Sequence, residues 1–166
     1  DRALQLGADA ERVHVTGNTK LDHTTKSNDT GTDSKFYGAL GIAADSLVLV
    51  AGSTHDGEEE ALLDIFSNLL KTCPELTLII APRYIERSER LRNLAVRRGL
   101  TARLRSAVPT PTQVIVLDTL GELASVYGCA TLVFVGGSLV DRGGHNIIEP
   151  AQYGCPVLFG PHMGNV

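Results

Sequence analysis

The most distinctive residues of this 166-residue chain offer anion-binding chemistry. Four short runs stand out: Gly52-Ser53-Thr54-His55, Pro82-Arg83, Asp118-Thr119-Leu120-Gly121-Glu122, and Gly136-Gly137-Ser138 running on to Gly143-Gly144-His145-Asn146. Glycines let backbone N–H groups come close to an anion, and a helix starting after them adds positive potential. A fixed arginine can hold phosphate oxygens in a two-pronged fork. In open α/β sheets ligands bind at the carboxyl ends of the strands, where these runs are expected. Together they describe a nucleotide phosphate site. The chain has neither GxGxxG nor GxxxxGKS/T, so neither NAD nor P-loop chemistry is supported.

Each feature has a plainer reading. Glycine pairs at strand ends are commonly turn chemistry. Arg83 equally fits the first residue of a solvated basic helix, and Glu122 fits a helix cap better than a side-chain ligand contact, which leaves backbone contact from its turn open. For Glu149 a capping box with Asn146 is weakened by Pro150, which has no N–H and must lie in the first turn. An acidic residue there can accept hydrogen bonds from ribose hydroxyls. His55 and His145 have no partner at metal-ligand spacing and read as loop histidines. No metal is expected.

Alternating buried strands and helices must position these residues. Leu47–Ala51, Leu76–Ala81, Leu100–Leu104, Val114–Leu117, Thr131–Val135 and Pro156–Phe159 read as strands. Helices are expected where Leu62, Ile65, Phe66, Leu69 and Leu70 recur, over Ile85–Arg98 with an apolar stripe at Leu91, Leu94 and Ala95, over Thr119–Tyr127, and over Ile148–Tyr153. Asp56 with Glu59 and Thr119 with Glu122 fit capping boxes, Glu58 to Glu60 suit the positive end of a helix, and Gly99 should end one. The pattern is that of an α/β fold, a parallel sheet with helices on both faces. Earlier in the chain, a short helix and a strand over Val13–Gly17 are expected. Residues 22–35, without a large apolar side chain, read as a linker or mobile loop. The compact domain should begin near Phe36 and run through 166, with 1–21 entering from another domain. The chain looks cut at both ends, with no closing helix after the last strand.

Net charge is −4, which argues against a general nucleic-acid binder. Hydrophobic residues make up 43% and no apolar run reaches the ~18 residues that span a bilayer. Eight of the eleven arginines lie between Arg83 and Arg105, which most simply makes a solvated face. Cys73, Cys129 and Cys155 lack CxxC spacing and argue for a reducing compartment, against zinc and disulfides; Cys73 and Cys129 read as core residues.

The segment from Gly136 through Gly143-Gly144-His145-Asn146-Ile147-Ile148-Glu149-Pro150-Ala151 to Gly160-Pro161 closely resembles the Kdo transferases, the 3-deoxy-D-manno-octulosonic acid transferases of lipopolysaccharide synthesis. Val15-Thr16-Gly17-Asn18-Thr19-Lys20, Ala51 to Glu59, Pro82-Arg83 and Asp118 to Leu123 extend the resemblance over nearly the whole chain. It departs where Ala81-Pro82-Arg83-Tyr84 stands for the family's His-Pro-Arg-His, and where Val166 stands for a Phe.

The resemblance implies most of the C-terminal, Rossmann-like half of a two-domain GT-B glycosyltransferase. Such enzymes move Kdo, with inversion, from CMP-Kdo to a lipid A precursor at the cytoplasmic face of the inner membrane. The family's CMP contacts fall on Pro82 and Arg83, on Gly121, Glu122 and Leu123, and on Asn146, Ile147, Ile148 and Glu149. Arg83 would hold the phosphate, the 121–123 turn would offer backbone groups to the cytosine, and Glu149 would take the ribose. No cofactor is implied. The general base, the acceptor site and the membrane contact would belong to the other half, so the chain alone should be inactive. Another GT-B member using a UDP-sugar, an epimerase, and a non-catalytic nucleotide-binding module are the alternative readings.

Overall fold

Val48–Thr54, Thr77–Pro82, Ala102–Leu104, Val114–Val116, Leu132–Val135 and Val157–Phe159 form strands β1 to β6 in a computed structural model, which describes residues 2–14, 37–43 and 45–165. All six are parallel, in the order β3-β4-β2-β1-β5-β6. The central strands β1 and β2 are almost wholly buried, as expected of aliphatic strands covered on both faces.

The two faces carry separate cores. On one, Leu62, Leu63 and Phe66 of the helix Glu58–Leu69 and Leu91 and Ala95 of the helix Ser88–Arg97 pack on Leu49, Ala51, Leu78 and Ile80. On the other, Val126 and Tyr127 of the helix Leu123–Tyr127 join Leu40, Val50, Ile79, Ile115 and Val133. The expected Rossmann-like α/β architecture is the observed one.

Several expectations change in detail. Residues 85–98 hold a 3-10 turn, Ile85–Arg87, before the α-helix. The helix expected over 119–127 shortens to Leu123–Tyr127, and the one over 148–153 to Ile148–Ala151. In Glu58–Leu69, Ile65 and Leu69 are exposed while Leu63 is fully buried, so the inward face is turned from the one expected. Gly99, at φ 78, ends its helix as expected. Arg2–Gln5 and Ala10–Arg12 are helical turns. Val13 and His14 are not strand residues; the remainder of the strand expected at 13–17, the linker 22–35 and the domain start at Phe36 lie outside the described residues.

The arginine-rich segment is more than a solvated face. Arg87 bridges to Asp56 and Glu59, Arg98 to Asp64, and Arg105 to Glu122. Arg103, buried, donates to the carbonyls of Leu40, Leu104 and Thr110. Among the described residues no helix is long and apolar enough to cross a membrane. None of the three cysteines is in a disulfide; Cys129 is buried and Cys73 half-buried.

Candidate functional site

The chain leaves β1 toward β2 on one side, and β5 and β6 lie on the other. The carboxyl edge around β1 is therefore a topological switch point, where such sheets bind ligands. At this edge the register of β1 against β2 slips between Gly52 and Thr54. Ser53 there takes φ 55, a left-handed conformation uncommon for a residue with a side chain.

A cavity opens over the ends of β1, β2 and β4. Ser53, Ala81, Pro82, Arg83, Leu117, Thr119, Gly121 and Leu123 are among its lining residues. It thus brings together four of the residues expected from sequence: Pro82, Arg83, Gly121 and Leu123. Arg83 is tied down by its backbone N–H, which donates to the Thr54 carbonyl at 2.8 Å. Its guanidinium lies 5.9 Å from the Tyr84 ring and makes no ion pair among the described residues. The other arginines between 87 and 105 are mostly engaged by carboxylates or carbonyls, which sets Arg83 apart.

Glu122 behaves differently. Its carboxylate accepts from Arg105 at 3.1 Å and from the Thr119 hydroxyl, and it makes no side-chain cap. The capping box expected there is a side-chain pair instead. The box expected from Asp56 and Glu59 also shifts: Gly57, at φ 92, is the N-cap residue, and Glu60 accepts from its N–H at 3.1 Å. Asp56 and Glu59 both take Arg87. Burial pushes the Glu59 carboxyl up to about 6, against the opposing pull of Arg87 and the Thr54 hydroxyl.

Asn146, Ile147, Ile148 and Glu149 do not line that cavity. The Asn146 Oδ1 accepts from the Ile148 N–H at 3.0 Å, and Ile147 packs on the core beside Tyr127. Glu149 is half-buried, and its side chain makes no hydrogen bond among the described residues. Burial first, and then the nearby Glu149 charge, raise the Tyr127 hydroxyl above its ordinary value. A Cβ placed on Gly52 would stand 2.1 Å from that hydroxyl, so Tyr127 connects the 146–149 segment to the end of β1.

The glycine loop after β5 corrects the expected phosphate cradle. Its N–H groups do form an anion hole, but the anion is internal. The Glu58 carboxylate, fully buried, accepts from the N–H of Gly137 at 2.8 Å, Ser138 at 3.0 Å, Leu139 at 2.9 Å and His55 at 2.9 Å. Gly136 serves close packing, since a Cβ there would stand 2.4 Å from the Ser53 carbonyl oxygen.

His55 and His145, distant in sequence, meet at this edge. Their Nε2 atoms are 2.9 Å apart, and the ring planes differ by 6° with centroids 5.2 Å apart. That centroid separation is what two rings meeting nitrogen to nitrogen must show, so the contact is an in-plane hydrogen bond rather than a stack. Tyr84 stands edge-on to His55, with centroids 5.8 Å apart. Both imidazoles are held below their ordinary value. For His55 the causes are burial, then Arg142, Arg87 and Arg83; for His145 they are burial, His55 and Arg83. Glu58 opposes in both. Sequence spacing carried no signal for this pair, because only the β1–β5 adjacency creates it.

No protein-family model matches the chain. It is 39% identical over 165 residues to the 3-deoxy-D-manno-octulosonic acid transferase of Chlamydophila psittaci, covering 98% of this chain and 37% of that protein. It is 37% identical over 176 residues to the Haemophilus influenzae protein of the same name, covering 99% of this chain and 39% of the relative. The chain therefore spans well under half the length of these two relatives. Among solved structures, the C-terminal CMP-Kdo binding domain of WaaA from Acinetobacter baumannii superimposes with a TM-score of 0.73 at 30% identity, over 81% of this chain and 72% of that one.

Proposed function

The chain belongs to the 3-deoxy-D-manno-octulosonic acid transferase family, and from that premise we propose that it is the donor-binding half of a GT-B enzyme moving Kdo from CMP-Kdo to a lipid A precursor. The observation that carries this reading is the cavity over β1, β2 and β4, rimmed by an arginine that has no ion-pair partner among the described residues. Arg83 would hold the phosphate, and the backbone of 121–123 would meet the cytosine. Glu149, a carboxylate left without a hydrogen-bond partner among the described residues, would take the ribose hydroxyls.

In an inverting transfer a base removes the acceptor proton while CMP leaves with the bonding pair. This chain's part is the leaving side, where a fixed cation stabilises charge growing on the phosphate. Glu58, Glu59 and Glu122 are all held by internal partners, so none is available as that base. The base and acceptor site are assigned to the remainder of the longer protein, with residues 36–166 as the nucleotide-sugar domain.

The test is a titration of the protein with CMP, UMP and UDP. CMP should bind best, and Arg83→Ala should weaken it by at least about tenfold, equivalent to the ~1.5–3 kcal/mol of a charge-assisted hydrogen bond. A preference for UDP, or affinity indifferent to Arg83, would overturn the reading.

A further inference from the structure

We propose that the in-plane His55–His145 pair is a second anion site, which recognises the carboxylate of an acidic sugar donor by taking up one proton as the donor binds. The inference rests on the nucleotide reading above and deepens it. In a 2-ulosonic acid donor, the carboxylate and the oxygen bonded to phosphate sit on the same anomeric carbon. A site for that carboxylate must therefore lie beside the site for the phosphate. The pair meets that condition. Both rings feel the charge of Arg83, and the Tyr84 ring neighbours both His55 and the Arg83 guanidinium.

The proton accounting follows from the geometry. Two neutral imidazoles 2.9 Å apart at Nε2 share one hydrogen, so one ring donates and the other accepts. The donating ring keeps a free lone pair on Nδ1. Among the described residues nothing is bonded to Nδ1 of either ring. A proton added there leaves the Nε2–H···Nε2 bond intact and gives the pair one positive charge and two outward Nδ1–H donors. Without a ligand this state is disfavoured. Burial of the rings is the leading cause, and Arg83, Arg87 and Arg142 add to it against Glu58, whose charge is already shared among four backbone N–H groups. An arriving carboxylate reverses the balance, because it sees the imidazolium together with Arg83 and Arg142, neither of which is ion-paired among the described residues. A neutral sugar nucleotide would not, so the pair would select acid sugars.

The experiment compares CMP-Kdo with CMP by calorimetry on the protein, in buffers of differing ionisation heat and across about pH 6 to 8. CMP-Kdo should bind more tightly than CMP. The excess should fall with rising pH at a slope approaching tenfold per unit, the limit for one linked proton, and about one proton should be taken up with CMP-Kdo beyond that seen with CMP. His145→Gln and, separately, His55→Gln should flatten the pH slope of the excess and abolish the extra proton uptake, with circular dichroism checking the fold. CMP binding with no excess for CMP-Kdo, or an excess that is independent of pH and of both histidines, would overturn this proposal alone. Failure of CMP itself to bind would overturn the nucleotide reading, and this site with it.

Discussion

A carboxylate with no exposed surface is tolerable only where fixed dipoles replace its water, and Glu58 illustrates the arrangement. It sits at the first turn of its helix, where the dipole favours an anion, and divides four backbone N–H groups between its two oxygens. One oxygen accepts from His55 and Gly137, the other from Ser138 and Leu139. Glu58→Gln should therefore be nearly as damaging as Glu58→Ala. Its amide nitrogen would face two donors, and no flip of the amide avoids this. A loss of roughly 2–4 kcal/mol is expected for either, read from the urea midpoint; a neutral Gln variant would show that the loop does not depend on the charge. The same residue shows the limit of reading the sequence. Glu58, Gly136 and Gly137 each carried a sound local meaning, helix start and anion nest. Nothing local said that the one would fill the other.

At the scale of elements, the helices Glu58–Leu69 and Ser88–Arg97 are joined by Arg87, whose guanidinium reaches Glu59 at 3.0 and 2.7 Å and Asp56 at 2.7 Å. Glu59 is buried, and its carboxyl stands at about 6 in the folded chain, above its unfolded value. A group raised in this way contributes stability below its unfolded pKa and loses it as pH rises through the folded one. Arg87→Leu removes the charge that opposes the rise. The variant should lose ~3–5 kcal/mol at about pH 8, where Glu59 is forced to ionise unpaired, and distinctly less at about pH 5, where it is neutral. Equal losses at both values would mean that Arg87 acts through packing. Periodicity made much at this level legible. The strands and the inward Leu91 and Ala95 fall where alternation and helical spacing put them. The misses share one cause, that tertiary partners lie outside any local window. Tyr127 fills the space at Gly52, so that glycine answers to a ring from the opposite layer and not to a ligand. Leu63 replaces Ile65 on the inward face because the helix begins at Gly57 and Glu58 is fixed by the loop after β5.

Over the whole molecule, the six-stranded sheet has an apolar core on each face, so this chain should fold cooperatively by itself. Transfer of sugar is a different requirement. It needs donor and acceptor held together in a water-excluded cleft, and such positioning contributes ~7–11 kcal/mol. It also needs a base facing the acceptor. Three carboxylates near the switch point are already held: Glu58 by the glycine loop, Glu59 by Arg87, Glu122 by Arg105 and Thr119. Glu149 remains, but it lies beside Tyr127, on a segment assigned here to the ribose. The His55–His145 pair, with burial lowering both pKa values, is engaged ring to ring, and its outward nitrogens are those proposed for the donor's own carboxylate. The purified 166-residue chain should accordingly bind CMP weakly and, incubated with CMP-Kdo and a lipid A precursor, give no Kdo-lipid product by mass spectrometry. Product that depends on the chain would place a working base within these residues. Glu149→Gln would then be the variant to examine, because it keeps the size of the side chain while removing a half-buried carboxylate that no described residue holds by a hydrogen bond.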